Sequence, residues 1–153
     1  MSAMDGQHAV LLVEDNADDV ELLQRALRKA AVSCPVQVVG DGDAAVDYLE
    51  GNGPYADRDA YPYPTLVLLD LKLPRRSGFE ILEHVRAHQA LKRTIIVVLT
   101  GSNQAEDIGR AYARGANSYL VKPIRPAHME RLVERVKEYW LDSNRPPPVF
   151  SPP

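Results

Sequence analysis

Leu66-Val67-Leu68-Leu69-Asp70 is a run of branched apolar residues closed by an acid. A short apolar run of this kind, bounded by turn signals, reads as a strand buried on both faces. Working outward, the same pattern recurs. Ala9–Glu14 (AVLLVE) also ends on acids, Val36–Val39 closes on Gly40-Asp41-Gly42, Ile95–Leu99 ends at Thr100-Gly101, and Ser118–Val121 runs into Lys122-Pro123. Between these runs the apolar spacing changes. Val20, Leu23, Leu27 and Ala31 recur at intervals of three and four, which predicts an amphipathic helix over Asp18–Ala31. Ala44, Ala45, Val46 and Leu49 predict a second helix. Phe79, Leu82 and Val85 predict a third after Gly78, and Ile108, Ala111 and Tyr112 a fourth that stops at Gly115. Met129, Leu132, Val133 and Val136 predict a fifth, with Pro126 in its first turn, where a missing N–H is harmless.

Strands alternating with helices imply parallel crossovers and an α/β fold. The expectation is a three-layer, doubly wound, five-stranded parallel sheet with five helices. Gly51–Pro64 (GNGPYADRDAYPYP) holds three prolines and reads as a loop. The chain is 153 residues long, which suits one domain. It divides into a lead over residues 1–8, a domain over 9–140 with an insert at 51–64, and a Pro-rich tail over 141–153. Five of the 12 prolines fall in the last eight positions. That composition suits a stiff extended arm, either docked or frayed.

Composition removes several function classes. The net charge is −3, so the basic footprint of a nucleic-acid binder is missing. No apolar run approaches the roughly 20 residues that span a bilayer. The polar start lacks a secretory apolar region, and one cysteine, Cys34, allows neither an internal disulfide nor a cysteine-based zinc site. A cytoplasmic protein is expected.

In doubly wound sheets, ligands sit beyond the carboxyl ends of the strands. Here those ends carry Glu14-Asp15, Asp70, Thr100 and Lys122. Clustered carboxylates repel one another and attract a hard cation, and Mg²⁺ is held by one or two carboxylates plus phosphate. A carboxylate can attack phosphorus to form an acyl phosphate. An amine supplies a point charge for a phosphate oxygen, and a hydroxyl can donate to the phosphate formed.

Val13-Glu14-Asp15-Asn16, Leu69-Asp70-Leu71-Lys72-Leu73-Pro74 with Gly78, Leu99-Thr100-Gly101 and Tyr119-Leu120-Val121-Lys122-Pro123 resemble the receiver domain of two-component response regulators. The likeness spans about Ala9 to Trp140. It implies the strand order 2-1-3-4-5. It implies that Asp70 accepts the phosphoryl group from a histidine kinase. It further implies that Glu14, Asp15, Asp70 and the backbone carbonyl of Lys72 hold Mg²⁺. Many members carry two aspartates at the acidic pair, and Glu14 is the longer variant. Thr100 and Lys122 would contact the phosphate, Thr100 and Tyr119 would form the switch, and Pro123 would follow a cis peptide. Lys72 and Ser102 would tune the lifetime of the acyl phosphate through water access.

Rival α/β readings fit less well. Haloacid-dehalogenase-like phosphatases carry a second acid two positions after the nucleophile, where this chain has Lys72. A flavodoxin-like FMN binder needs a hydroxyl- and glycine-rich loop after strand 1, and no GxxxxGK[ST] loop is present. No output domain follows the last helix, so a stand-alone regulator is expected. It is read as a phosphoacceptor rather than an enzyme, acting by protein–protein contact. The alternative is an intermediate phosphoryl shuttle to a histidine phosphotransfer protein. The long Gly51–Pro64 connection, the tail and the Leu-Thr-Gly-Ser run at 99–102 resemble regulators paired with bacterial phytochrome-type kinases. That likeness implies a homodimer through the helix 4, strand 5, helix 5 side, and the apolar end of the last helix predicts that it uses Tyr119's strand and that helix, with Tyr139, Trp140 and the tail contributing. His84 and His88 share a helix face at metal-ligand spacing, but there is no third nearby ligand, and the intervening Val85 and the flanking charges predict a solvated face.

Overall fold

Alternation along the first strand sets the layering. Val10 and Leu12 face one side of the sheet and Leu11 and Val13 the other, as the two-residue period of a strand requires. The structure is a computed structural model and describes residues 8–148. Its elements are β1 (Val10–Val13), α1 (Ala17–Lys29), β2 (Val36–Val39), α2 (Gly42–Glu50), β3 (Leu66–Leu69), α3 (Gly78–Ala87), β4 (Ile96–Thr100), α4 (Ala105–Ala113), β5 (Ser118–Val121) and α5 (Pro126–Val136). All pairings are parallel, in the order β2-β1-β3-β4-β5. Leu11 and Val13 pack with Ala45, Tyr48, Leu49, Ile81, Leu82, Val85 and Ala111, from α2, α3 and α4. Val10 and Leu12 pack with Leu23, Leu27, Met129, Val133 and Val136, from α1 and α5. Central strands β1, β3 and β4 are buried along their whole length, which explains their unbroken apolar sequence.

Helix starts follow capping chemistry. The side chain of Asn16 accepts from the Asp19 N–H (3.0 Å), Asp41 from Ala44 (2.7 Å) and Ser77 from Glu80 (3.3 Å). Each cap sits just beyond a strand end or its loop, so it also fixes the direction in which the chain leaves the sheet.

The expected loop at 51–64 contains a 3-10 turn over Gly53–Ala56 and packs against the core. Gly51 closes α2 in the left-handed conformation (φ 74°). Arg58 then reaches back, donating to the carbonyls of Tyr48 (2.8 Å), Leu49 (3.0 Å) and Tyr61 (3.2 Å). Two of these belong to the last turn of α2, where Tyr48 also accepts from the Gly51 N–H (3.2 Å) and few intrahelical donors remain. Tyr48, Tyr55 and Tyr61 form a ring cluster with centroids 5.0–6.1 Å apart. Tyr48 donates its hydroxyl to the Pro62 carbonyl (2.8 Å), and burial pushes its pKa up to about 12.

Helical backbone runs past Trp140 as a π-type turn over Lys137–Ser143, and Leu141 is buried in the α1/α5 cluster. The domain packing therefore extends beyond the boundary expected at residue 140. Pro146, Pro147 and Pro148 then line a small cleft with Tyr63–Thr65, Ala90 and Arg93–Ile95, so the tail is docked as far as Pro148. The remainder of the tail and residues 1–7 of the lead lie outside the described residues. No helix among the described residues is long and apolar enough to cross a membrane.

Candidate functional site

Parallel pairing brings the strand ends to one edge. Val13 of β1 pairs with Leu69 of β3, so Glu14 and Asp70 emerge side by side. Leu69 pairs with Val98, which brings Thr100 alongside. Thr100 in turn pairs with Val121, which places Lys122 at the same edge. The side chains of Glu14, Asp70 and Thr100 are all buried there.

Asp70 is held from several sides. Its Oδ1 accepts from Thr100 Oγ1 (2.8 Å) and from the Leu71 N–H (2.7 Å), and its Oδ2 accepts from Lys122 Nζ (2.9 Å). Burial alone would raise its pKa, but hydrogen bonds from Lys122 and Thr100 outweigh that and hold it below the ordinary value. Glu14 behaves differently. Burial raises its pKa to about 7, against the hydrogen bond from Lys122 and with repulsion from Asp70 adding to the rise. Lys122 also reaches Glu14 Oε1, and Asp19 Oδ2 at 3.0 Å. Burial alone would lower the lysine's pKa, but these three carboxylates together raise it, so it stays cationic.

Glu14, Asp15 and Asp70 each offer a carboxylate oxygen, and the three lie within 4.8 Å of one another. Asp15 is exposed and opens this group to solvent. Three hard oxygen donors with one open side fit a divalent cation of the Mg²⁺ or Mn²⁺ type. Lys72 is exposed in the loop after β3, and Leu71 is buried beneath it. Gly78 allows this loop to close. A Cβ at Gly78 would stand 2.5 Å from the Asp70 carbonyl oxygen.

Tyr119 is half-buried and donates its hydroxyl to the Ser102 carbonyl (2.9 Å). Ser102 Oγ bonds Asp107 Oδ2 (2.6 Å) in the first turn of α4. Ser102 is thus tied to Tyr119 and Asp107, with no hydrogen bond to Asp70 among the described residues. Thr100 is the member of the expected switch pair that touches the carboxylate. The Lys122–Pro123 bond is not cis: no cis peptide occurs among the described residues. An X–Pro amide favours trans by only about 0.5–1 kcal/mol, and the trans bond here still lets Lys122 Nζ reach all three acids. Sequence reasoning missed Asp19. Its signal in the sequence is the acidic pair Asp18-Asp19, in the first turn of the helix that leaves β1.

A family model for the response regulator receiver domain matches residues 10–137. The chain belongs to this family. It is 40% identical over 141 residues to the probable methanogenesis regulatory protein FilR2 of Methanothrix harundinacea, covering 90% of this chain and 86% of that protein. It is 34% identical over 134 residues to the response regulator Rcp1 of Synechocystis sp., covering 88% and 89%. The Mn(2+)-bound form of Rcp1 superposes with a TM-score of 0.83 at 33% identity, over 92% of this chain and 99% of that one. The phosphorylated cyanobacterial phytochrome response regulator RcpA superposes with a TM-score of 0.86 at 35% identity, over 93% and 99%. As a receiver domain, this protein is a phosphoacceptor signalling protein of two-component systems, a family whose partners are histidine kinases.

Proposed function

We propose that Asp70 accepts the phosphoryl group, with Mg²⁺ held by Glu14, Asp15, Asp70 and the backbone carbonyl of Lys72. The observation that carries this is the state of Asp70: a buried carboxylate kept ionised by Lys122 and Thr100, within 4.8 Å of two further acids. A carboxylate oxygen of Asp70 attacks phosphorus, the P–N bond to the kinase histidine breaks, and the bonding pair leaves on the imidazole nitrogen. Bound Mg²⁺ would neutralise the phosphoryl oxygens so that they can approach an acidic site. Lys122 turns its ammonium toward a phosphate oxygen as the phosphoryl group arrives.

The new group carries about −1.5 to −2 charges, and the Thr100 hydroxyl, now on Asp70 Oδ1, turns to donate to it. Tyr119 sits one strand away with its hydroxyl on the β4–α4 loop, so a shift of that loop changes what the ring faces. Lys72 and Ser102 act on the acyl phosphate through water access. The signal is read at the α4–β5–α5 side. Tyr112 is 49% exposed there, Val121 40% and Tyr139 57%, and this apolar area suits a second copy of the chain. A concentration-independent monomer in sedimentation, with and without phosphoryl group, would rule out the dimer. The likeness to the phytochrome response regulator RcpA supports a phytochrome-type kinase as the donor.

Incubation with its cognate histidine kinase should label the wild type and leave Asp70→Asn unlabelled, with unchanged circular dichroism. Label retained on Asp70→Asn would move the acceptor elsewhere.

A further inference from the structure

His84 lies in the last turn of α3 and His88 caps its C-terminus four positions on; the helix starts at the carboxyl edge of the sheet and runs back toward the opposite edge. Their nearest charged neighbour comes from another element. Glu50, the last residue of α2, places Oε2 2.9 Å from His84 Nε2 and 3.6 Å from His88 Nε2. Both imidazoles thus converge on one carboxylate oxygen. The third group that the sequence does not offer near these histidines comes from 34 positions upstream. All three side chains are half-buried, with 25–36% of their surface exposed, so an ion among them would be partly desolvated yet open to water.

We propose that Glu50, His84 and His88 form a second metal site, for a first-row transition ion of the Zn²⁺ type, separate from the acidic site at Asp70. Imidazole and carboxylate are the ligands such ions take, and three protein ligands plus water is a common coordination set. Histidines four positions apart, here one in the last turn of α3 and one at its cap, have the sequence spacing of a helical ligand pair. The carboxylate is prepared for the role. Burial alone would raise its pKa, but hydrogen bonds from His84 and Asn52 outweigh that and keep it ionised. Asn52 Nδ2 donates to the other oxygen, Oε1 (3.1 Å), and so orients Glu50 from behind, as outer-shell partners of metal ligands do.

Closure on an ion needs the two rings to turn toward each other. Their centroids are 5.9 Å apart and their Nε2 atoms more than 4.8 Å apart. Metal–nitrogen bonds of about 2.0–2.1 Å in tetrahedral geometry would bring those nitrogens to about 3.4 Å. On loading, each Nε2 gives up its proton to solvent or to its own Nδ1. At His88 this has a local consequence, because its Nδ1 now accepts from the Ala90 N–H (3.2 Å). A protonated Nδ1 would face that N–H, so the Ala90 turn opens as the ion binds. The site would bridge the ends of α2 and α3, while Mg²⁺, a poor partner for imidazole, stays with the carboxylates.

The test is Zn²⁺ titration of the tag-free full chain against a chromophoric chelator, with saturating Mg²⁺ present to occupy the acidic site. One Zn²⁺ per chain is expected. It should be lost in His84→Gln, His88→Gln and Glu50→Gln, weakened about tenfold in Asn52→Ala, and kept in His128→Gln and Asp15→Asn. Absence of stoichiometric Zn²⁺ in the wild type would overturn the proposal. So would retention in the His84→Gln/His88→Gln double variant, or loss in Asp15→Asn. Should a variant fail to fold, NMR of the wild type decides. The His84 and His88 ring signals and the Ala90 amide should move together at one equivalent of Zn²⁺, and signals that stay in place would overturn the site.

Discussion

Two acids at the same sheet edge titrate in opposite directions, and the reason is who faces them. Asp70 meets Lys122 and Thr100 directly, whereas Glu14 is buried beside Asp70 and shares the lysine. Glu14 therefore holds its proton up to a pKa of about 7, while an unfolded glutamate loses it near 4.5. Between those values the folded state binds the extra proton, so Glu14's contribution to stability falls as pH rises from about 4.5 to about 7 and is level above. The same proton competes with the cation. Mg²⁺ affinity, followed by titration calorimetry, should rise about tenfold per pH unit below pH 7 and flatten above it. Glu14→Gln should remove that slope, and a flat wild-type profile would contradict the assignment. Asp70, Glu14, Thr100 and Lys122 were legible in the sequence because each closes a strand of a parallel sheet. Asp19 was not, because a first-turn acid looks like ordinary helix-dipole chemistry until Lys122 is seen crossing to it. The partner of His84 was hidden for a similar reason: it lies 34 positions away, at Glu50, and no spacing rule spans that.

At the scale of elements, the loops carry what the periodicity could not. Strands β2, β3 and β5 fall where the apolar runs predicted, and the helices follow the spacing of three and four. The Gly51–Pro64 insert reads only as a loop in sequence, since prolines and tyrosines lack a period. Folded, it is a clamp on α2 held by Arg58. Arg58→Ala should cost about 2 kcal/mol in urea unfolding, as three carbonyls lose a charged donor. Arg58→Lys should restore little of it, because one ammonium cannot serve the same fork. Another tie joins the start of α2 to the loop after Asp70. A Cβ at Gly42 would stand 2.2 Å from the Arg76 carbonyl oxygen, and the Gly42 N–H donates to Pro74 (3.1 Å). Gly42→Ala should therefore destabilise by about 3 kcal/mol, since the obstacle is backbone that cannot swing aside. An unchanged urea midpoint would mean the loop gives way freely.

Over the whole molecule, the C-terminal region divides into two parts with different roles. Leu141 is buried with α1 and α5, while Pro146–Pro148 lie across the opposite edge of the sheet from Asp70. Leu141→Ala should cost about 2–3 kcal/mol, and truncation after Ser143 about 1 kcal/mol, both read from thermal unfolding. Equal losses would contradict that division. Composition alone marked this tail as surplus proline, and only the packing of Leu141 places its start inside the domain. The two ends of the sheet thus have separate work: acids and Lys122 at one, the tail and the Glu50–His84–His88 group toward the other. All of this chemistry depends on the phosphoryl group going to Asp70. Phosphorylation by a small phosphoramidate donor in Mg²⁺, followed by borohydride reduction and peptide mass mapping, tests it directly. The reduced side chain should appear at position 70 alone; reduction at Glu14 or Asp15, or at no acid, would show that Asp70 is not the acceptor.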